Sequence, residues 1–183
     1  MVRSRTLPPG WYPDRAEGVR RRLEGWRDAP PEERRFEAVV APHAGWDFSG
    51  ELAFGVLQRL VPDPDLVVVV GGHLRPGDPV HVAPEEGFET PLGTIDADEE
   101  LRSVLHARLE ASDDRSPDNT VEVQLPMVKY LFPAARGAYL RSPPSEEAVR
   151  LGEVLAAYAA ETHQRIAVVG STDLTHYGPN FGF

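Results

Sequence analysis

Three histidines follow short apolar segments of the kind that form buried strands. Each segment and its histidine are, in order, residues 36–41 with His43, residues 67–70 with His73, and residues 166–169 with His176. Glycines near each histidine indicate turns after the strands. In an open α/β sheet, ligands bind beyond the carboxyl ends of the strands. The sequence therefore predicts that three imidazoles meet where chemistry usually takes place in such a fold.

An acidic side chain lies three residues before the last of these histidines. Asp173 and His176 share one face if this segment forms a helical turn. The carboxylate can then ligate a metal, or orient His176 as a general base through a hydrogen bond to one ring nitrogen. Two histidines and one carboxylate with open positions are the ligands of non-haem Fe(II) oxygenases, and zinc hydrolases use a similar set. The residues alone leave both metals open.

The remaining acids and histidines give one further candidate and three structural residues. Glu122 lies among apolar residues in the segment 119–126, which favours a role in a site. The alternative is an exposed acid in the first turn of a helix, where the helix dipole favours negative charge. We interpret His81, His106 and His163 as structural, because none of them follows a strand.

Composition excludes several classes of function. The chain has 183 residues, 41% hydrophobic and 26% charged, which is typical of a globular domain with a substantial core. A formal net charge of −10 argues against nucleic acid and against an anionic membrane as partners. The sequence has no cysteine, so any metal must be held by His, Asp or Glu. The first residues lack the apolar segment of a signal peptide, and we expect a cytoplasmic protein.

The elements that must position these side chains are indicated by the spacing of apolar residues. Strands are expected at residues 36–41, 66–70, 80–82, 138–140 and 165–170, with an extended insertion at residues 87–95 that turns at Leu92 and Gly93. Helices are expected from an Arg-rich segment ending near Trp26, at residues 51–60, from Asp96 to Leu109, at residues 119–131, and from Ser145 to Tyr158. Together they predict an α/β fold in which helices cover both faces of a mostly parallel sheet.

Local signals predict how these helices begin and which side chains they bury. Ser49 and Asp96 are the expected N-caps, the latter in a capping box with Glu99. Pro126 should kink its helix or lie in the first turn. The side chains expected to face the sheet are Leu52, Val56, Leu57 and Leu60; Leu101, Val104, Leu105 and Leu109; and Val149, Leu151, Val154, Leu155 and Tyr158.

Several segments match, in order and spacing, the motifs of one known family. They are residues 10–13, 42–45, 49–50, 72–73, 89–93, 122–126 and 171–178. On these segments the chain resembles the MEMO family, which is similar in fold to class III extradiol dioxygenases. The resemblance covers nearly the whole chain and implies a single MEMO-like α/β domain over residues 1–183.

The resemblance also implies a metal site of the extradiol dioxygenase type, with Fe(II) first and zinc or copper as alternatives. By position, His43 and His73 are the implied metal ligands, and Asp173 and His176 are the orienting acid and the base beside the metal. The side chains expected to contact a substrate are Trp11, Tyr12, Trp46, Glu122 and Tyr177.

The chain departs from the family pattern in two places. The family usually has a histidine shortly before the glutamate that Glu122 matches, where this chain has Asp118 and Asn119. Family members also continue beyond the His-Tyr-Gly motif and take a third metal ligand from that later segment. We therefore expect a domain truncated at its C-terminal end, with weaker metal binding and a tendency to form homo-oligomers.

Two functions of different classes follow from the resemblance together with these residues. The first is a metal-dependent oxygenase that acts on a small aromatic substrate, with His176 as the base. The second is a non-catalytic binding or adaptor protein that uses the same pocket for a peptide or small ligand. The second function requires only the pocket and its aromatic rim.

Overall fold

A computed structural model describes residues 1–27, 35–109, 111–173, 177–179 and 182. The strands are β1 (Val2–Arg3), β2 (Ala38–Ala41), β3 (Leu66–Gly71), β4 (His81–Val82), β5 (Gly87–Thr90), β6 (Gly93–Asp96), β7 (Ser112–Asp113), β8 (Arg136–Arg141) and β9 (Ile166–Ser171). The helices are α1 (Ala16–Gly25), α2 (Glu51–Leu57), α3 (Glu99–Leu109), α4 (Asn119–Glu122), α5 (Leu125–Leu131) and α6 (Glu146–Thr162), and a π-helical turn (Trp46–Gly50) precedes α2.

The main sheet is mostly parallel and has the strand order β2-β9-β3-β8-β4-β7. The pairs β2 with β9, β9 with β3, β3 with β8 and β4 with β7 are parallel, and β4 runs antiparallel to β8. Strands β9, β3 and β8 form the centre of this sheet. Their nearly continuous apolar sequences are typical of strands that are covered on both faces.

Successive side chains of β3 belong to two different cores, because strand residues alternate between the faces of a sheet. Val67 and Val69 pack in one core with side chains from α1, α2 and α5. Leu66 and Val68 pack in the other with side chains from α3 and α6. The predicted fold, with helices on both faces of a mostly parallel sheet, is confirmed.

A second, smaller sheet has the order β1-β5-β6. Strands β5 and β6 form a hairpin that turns at Pro91 and Leu92, and Gly93 has a φ of 112°, a conformation that favours glycine. The extended insertion predicted at residues 87–95 is this hairpin. The sequence did not predict β1, which runs parallel to β5 and brings the N-terminal residues onto the domain.

The prediction of Ser49 as the N-cap of α2 was wrong. Ser49 lies inside the π-helical turn, and its hydroxyl donates to the carbonyl of Ala44. A π-helical turn shifts the helix face that follows it relative to a regular α-helix. Leu52, predicted to be buried, is therefore 64% exposed, whereas Ala53 and Phe54 are buried.

The predictions of Asp96 as an N-cap and of Val149 as a sheet-facing residue were also wrong. Asp96 ends β6, and it is the carboxylate of Asp98 that accepts the N–H of Leu101 at the start of α3. Val149 is 64% exposed, because the buried face of α6 follows Leu151 and the residues four and seven positions further on.

Other local predictions hold. Helix α1 buries Val19 and Leu23, and its arginines lie on the other faces. The segment predicted as helix 119–131 consists of α4 and α5, and Pro126 lies at the first turn of α5. Residues 28–31, whose proline pair predicts the end of α1, lie outside the described residues. In the described part of the chain, no helix is long and apolar enough to cross a membrane.

Candidate metal-binding site

The strand order of the main sheet brings three predicted site residues to one edge. Strand β9 lies between β2 and β3, so the loops after these strands are neighbours. These loops carry His43, Asp173 and His73. The ring centroids of His43 and His73 are 5.2 Å apart, with an angle of 80° between the ring planes. The structure thus brings these two imidazoles and Asp173 together, whereas His176 lies outside the described residues.

The imidazole of His43 is buried beside the carboxylate of Asp173. The residue is 7% exposed, and its Nδ1 has no partner among the described residues. Its backbone N–H donates to Oδ1 of Asp173 at 2.8 Å, and its Nε2 lies 3.7 Å from Oδ2 of the same carboxylate. Because buried polar atoms are rarely left unpaired, this nitrogen is a candidate donor to a ligand.

Two amide side chains hold the loop that carries His43. Asn119 Nδ2 donates to the carbonyl of His43 at 3.4 Å, and Gln124 Nε2 donates to the carbonyl of Pro42 at 2.8 Å. Gln124 is 1% exposed and also lies 3.1 Å from the hydroxyl of Ser171, at the end of β9. The segment from Asn119 to Gln124 therefore fixes the strand end of β2 against that of β9.

His73 has an unusual backbone conformation and a carboxylate partner. Its φ is 64°, which is uncommon for a residue other than glycine and is found more often at functional sites. Nδ1 of His73 lies 3.3 Å from Oδ2 of Asp118, while the His73 side chain is 53% exposed. Oδ1 of Asp118 accepts the backbone N–H of Thr120 at 2.8 Å and so caps α4.

Helix α4 reaches the histidines because a glycine ends β3. A Cβ atom at Gly71 would lie 2.0 Å from Oγ1 of Thr120, well inside the contact distance. Only glycine therefore allows the first turn of α4 to lie against the end of β3 in this arrangement. The close approach brings Asp118 within reach of His73.

The described residues supply two nitrogen donors but no larger cluster. Within the described ranges, no group of three His, Cys, Asp or Glu side chains is arranged to hold a metal ion. His43 and His73 are therefore a pair of imidazole donors with carboxylates beside them. Imidazole donors of this kind suit iron, zinc and copper.

Comparison with known proteins decides the family. A family model for Memo-like proteins matches residues 3–183. The chain belongs to the MEMO family. MEMO1 family proteins of Pyrococcus furiosus and Thermococcus onnurineus are 33% and 32% identical to it over 199 residues, which cover 100% of this chain and 68% of each relative. A MEMO1 family protein of Methanothermobacter thermautotrophicus is 30% identical over 197 residues, which cover 98% of this chain and 71% of that relative.

In this MEMO family chain, Glu122 holds the N-terminal segment. Its carboxylate accepts the backbone N–H groups of Thr6 at 2.8 Å and Leu7 at 2.9 Å, and the hydroxyl of Tyr12 at 2.8 Å. Burial, together with the hydrogen bond to this carboxylate, raises the pKa of Tyr12. In the described residues, the hydrogen bonds of Glu122 thus go to the N-terminal segment and not to His43 or His73.

The four aromatic residues expected to contact a substrate divide into two buried and two accessible side chains. Trp46 is 2% exposed, and its Nε1 donates to the carbonyl of Val123 at 3.0 Å. Tyr12 packs beside it, with 6.0 Å between ring centroids. Neither ring presents an open face to a ligand. Trp11 is half-buried and Tyr177 is exposed, so these two remain accessible for stacking.

Sequence reasoning missed Asp118 and Arg141 as site residues. Asp118 contacts His73, and Arg141 Nη1 lies 3.4 Å from Oδ2 of Asp118. The one available signal was that Asp118 and Asn119 stand where the family usually has a histidine. Which side chain Asp118 contacts depends on the packing of α4 against β3, and the sequence pattern does not show this packing.

Proposed function

We propose that this chain binds a divalent transition metal through His43 and His73, with Fe(II) first and zinc or copper as alternatives. The observation that carries the proposal is the pair of imidazoles 5.2 Å apart, of which His43 has a buried nitrogen without a partner among the described residues. A metal–nitrogen distance of about 2.0–2.1 Å puts an ion roughly 3.2 Å from each ring centre. One ion can therefore reach both rings.

The surrounding residues fit this role because they restrain the two rings. Asp173 binds the backbone of His43 and lies beside its ring, and Asp118 contacts Nδ1 of His73. Carboxylates behind metal-binding histidines fix the ring orientation and raise the basicity of the ligand. A bound metal would supply Lewis acidity and open positions for small ligands. In the oxygenase form of the proposal, the substrate is a small aromatic molecule and His176 is the base.

Metal binding is tested by elemental analysis of the purified protein and by calorimetric titration of the metal-free protein. We expect the double variant His43→Ala/His73→Ala to lose the bound metal. The matched control is His106→Ala/His163→Asn, which also removes two imidazoles but leaves this edge of the sheet intact. Asparagine is chosen at position 163 because the residue there has a φ of 56°, a backbone conformation that asparagine adopts more readily than alanine. Equal metal content in wild type and His43→Ala/His73→Ala would refute the site.

The catalytic part of the proposal is tested by oxygen uptake with a panel of catechols. The Fe(II)-loaded wild type should consume oxygen, and His176→Ala should lower the rate while the metal content stays the same. Loss of activity together with loss of metal would mean that His176 helps to hold the metal and is not the base. A metal-loaded wild type without oxygen uptake would favour the second candidate function.

The second candidate is a binding protein that uses this edge for a peptide. It is favoured by Phe48 and Leu52, which lie one turn apart after the loop of His43 and are 90% and 64% exposed. Adjacent exposed apolar side chains are typical of interaction surfaces. Under this function, Phe48→Ser/Leu52→Ser should weaken peptide binding and leave metal binding unchanged.

A further inference from the structure

We propose that Asp118, anchored by Arg141, is a positioning residue that holds His73 with its proton on Nδ1 and leaves Nε2 as the metal donor. The inference rests on the proposed function for the identity of the ligand, but its first test needs no metal. It concerns residues that neither motif spacing nor the expected ligand set includes.

The first step is the difference in burial between the two partners. The side chain of Asp118 is 10% exposed, whereas that of His73 is 53% exposed. Asp118 is also fixed through its second oxygen, because Oδ1 accepts both the backbone N–H and the hydroxyl of Thr120. The carboxylate is thus the fixed partner, and the imidazole is the one whose orientation the contact determines.

The second step is the chemistry of the contact. An ionised carboxylate only accepts hydrogen bonds, so the ring nitrogen that faces it has to donate. Oδ2 of Asp118 lies 3.3 Å from Nδ1 of His73. The contact therefore favours the tautomer with the proton on Nδ1 and the lone pair on Nε2. A metal-ligating histidine commonly has the same arrangement, with its second nitrogen bonded to a carboxylate.

The third step is the role of Arg141 at the end of β8. Its guanidinium bridges two buried carboxylates, with Nε 2.6 Å from Oδ2 of Asp114 and Nη1 3.4 Å from Oδ2 of Asp118. The Arg141 side chain is itself 11% exposed. A planar guanidinium can hold two carboxylates at fixed positions, which a lysine ammonium does less well. Arg141 therefore restrains Oδ2 of Asp118, while Thr120 binds Oδ1.

The backbone of His73 gives a physical reason for such a restraint. A φ of 64° costs free energy for a residue with a Cβ atom. Without a partner, the exposed ring and its loop would sample other conformations. The contact with Asp118 offsets part of that cost in the conformation that places the ring 5.2 Å from His43.

The first test observes the tautomer of His73 in metal-free protein by long-range ¹H–¹⁵N correlation NMR, at one pH at which the ring is neutral. The variant is Asp118→Ser, because serine still caps α4 but is too short to reach His73. We expect the Nδ1–H form in wild type and a mixture of both forms in Asp118→Ser. An Nε2–H form in wild type, or identical tautomers in both proteins, would overturn the proposal.

The second test measures metal affinity by calorimetric titration with Zn(II) and Co(II). Asp118→Ser should weaken binding by about 10–100-fold, the loss usual when the carboxylate behind a ligating histidine is removed. Arg141→Lys should weaken metal binding less than Asp118→Ser does. Arg141→Met should weaken it more than Arg141→Lys does. The matched control is Asp113→Ser, since Asp113 lies 3.2 Å from Nε2 of His106, away from the site. Its affinity should equal that of wild type.

The two tests separate the inference from the proposed function. If wild type binds no metal but shows the Nδ1–H tautomer that Asp118→Ser loses, the proposed function fails and the positioning role stands. If metal binds equally well to wild type and Asp118→Ser and the tautomer does not change, the positioning role fails. Thermal unfolding of each variant shows that it is folded, and Arg141→Lys provides the second variant if Asp118→Ser does not fold.

Discussion

The two ends of helix α4 contact two regions that differ in how completely their polar groups are hydrogen-bonded. The histidine edge consists of His43, His73, Asp118 and Asp173. The N-terminal clasp consists of Thr6, Leu7, Tyr12 and Glu122. In the clasp, one carboxylate accepts hydrogen bonds from three residues. In the histidine edge, Nδ1 of His43 has no partner among the described residues, and His73 has a left-handed backbone.

This difference separates residues that stabilise the fold from residues that the proposed function assigns to metal binding. Hydrogen bonds that satisfy every group rigidify a structure, whereas unpaired groups and backbone strain cost stability and are kept at functional sites. Both regions contain an acid or a histidine that lies near apolar residues in the sequence. The sequence alone therefore does not show which region stabilises the fold and which one binds a ligand. We therefore expect substitutions in the clasp to change stability, and substitutions in the histidine edge to change metal binding.

The largest effect is expected where both regions depend on one contact. Gly71→Ala places a Cβ atom 2.0 Å from Oγ1 of Thr120 and should push α4 away from β3. We expect a loss of about 2–3 kcal/mol in the free energy of unfolding, the cost usual for overpacking, together with weaker metal binding. The matched control is Gly72→Ala, since a Cβ atom there has no neighbour within 4 Å. Urea unfolding and calorimetric titration measure the two effects, and equal values for both variants would contradict the role given to α4.

The second substitution breaks the clasp alone. Glu122→Ala leaves the N–H groups of Thr6 and Leu7 and the hydroxyl of Tyr12 without their acceptor. We expect a loss of about 2 kcal/mol in the free energy of unfolding and unchanged metal affinity. Glu51→Ala, which removes an exposed glutamate in the first turn of α2, is the control and should change neither. A large loss of metal affinity in Glu122→Ala would show that the two regions are not independent.

Much of the main sheet could be predicted because its central strands are nearly continuous apolar segments. Such segments gave β3, β8 and β9 to within a few residues, and strand alternation explains the two cores. The elements that were missed depend on tertiary contacts. Strand β1 has two residues, and its pairing with β5 is decided by the packing of the N-terminal segment. The π-helical turn before α2 has no signal in the spacing of apolar residues.

The candidate site was predicted in part for the same reason. His43, His73 and Asp173 directly follow strands, so the sheet order alone brings them together. Asp118 reaches His73 only because Gly71 admits α4, and this contact depends on packing between distant parts of the chain. Trp46 is among the aromatic residues expected to contact a substrate, but its large apolar surface is buried in the core. The role of His176 stays a prediction.

Within the histidine edge, the strain at His73 can be measured without reference to metal. His73→Gly and His73→Ala both remove the imidazole, but only alanine keeps a Cβ atom at a φ of 64°. We expect the glycine variant to be more stable by about 1 kcal/mol. The control position is His81, which lies in β4 and has no positive φ. There we expect His81→Ala to be more stable than His81→Gly. If alanine is also the more stable at position 73, the backbone of the histidine edge is not strained.

The smallest effect concerns Asp114, which shares Arg141 with the histidine edge. Burial alone would raise the pKa of this carboxyl, but the hydrogen bonds from Arg141 and from the backbone of Ser116 outweigh it and hold the pKa below its ordinary value. Because the folded state then binds fewer protons than the unfolded chain, Asp114 contributes stability above its ordinary pKa of about 3.9. That contribution is lost as the pH falls through the lower pKa of the folded state.

We therefore expect Asp114→Asn to be less stable than wild type at pH 7, and the difference between the two to shrink as the pH is lowered below about 4. Urea unfolding from pH 7 to pH 3 measures this difference. In an Arg141→Met background, Asp114→Asn should have a smaller effect with less dependence on pH, because the guanidinium that favours the ionised form is gone. Metal affinity at pH 7 should not fall in Asp114→Asn, since Arg141 keeps its contact with Asp118. A fall as large as that of Asp118→Ser would instead mean that Asp114, and not Asp118 alone, restrains His73.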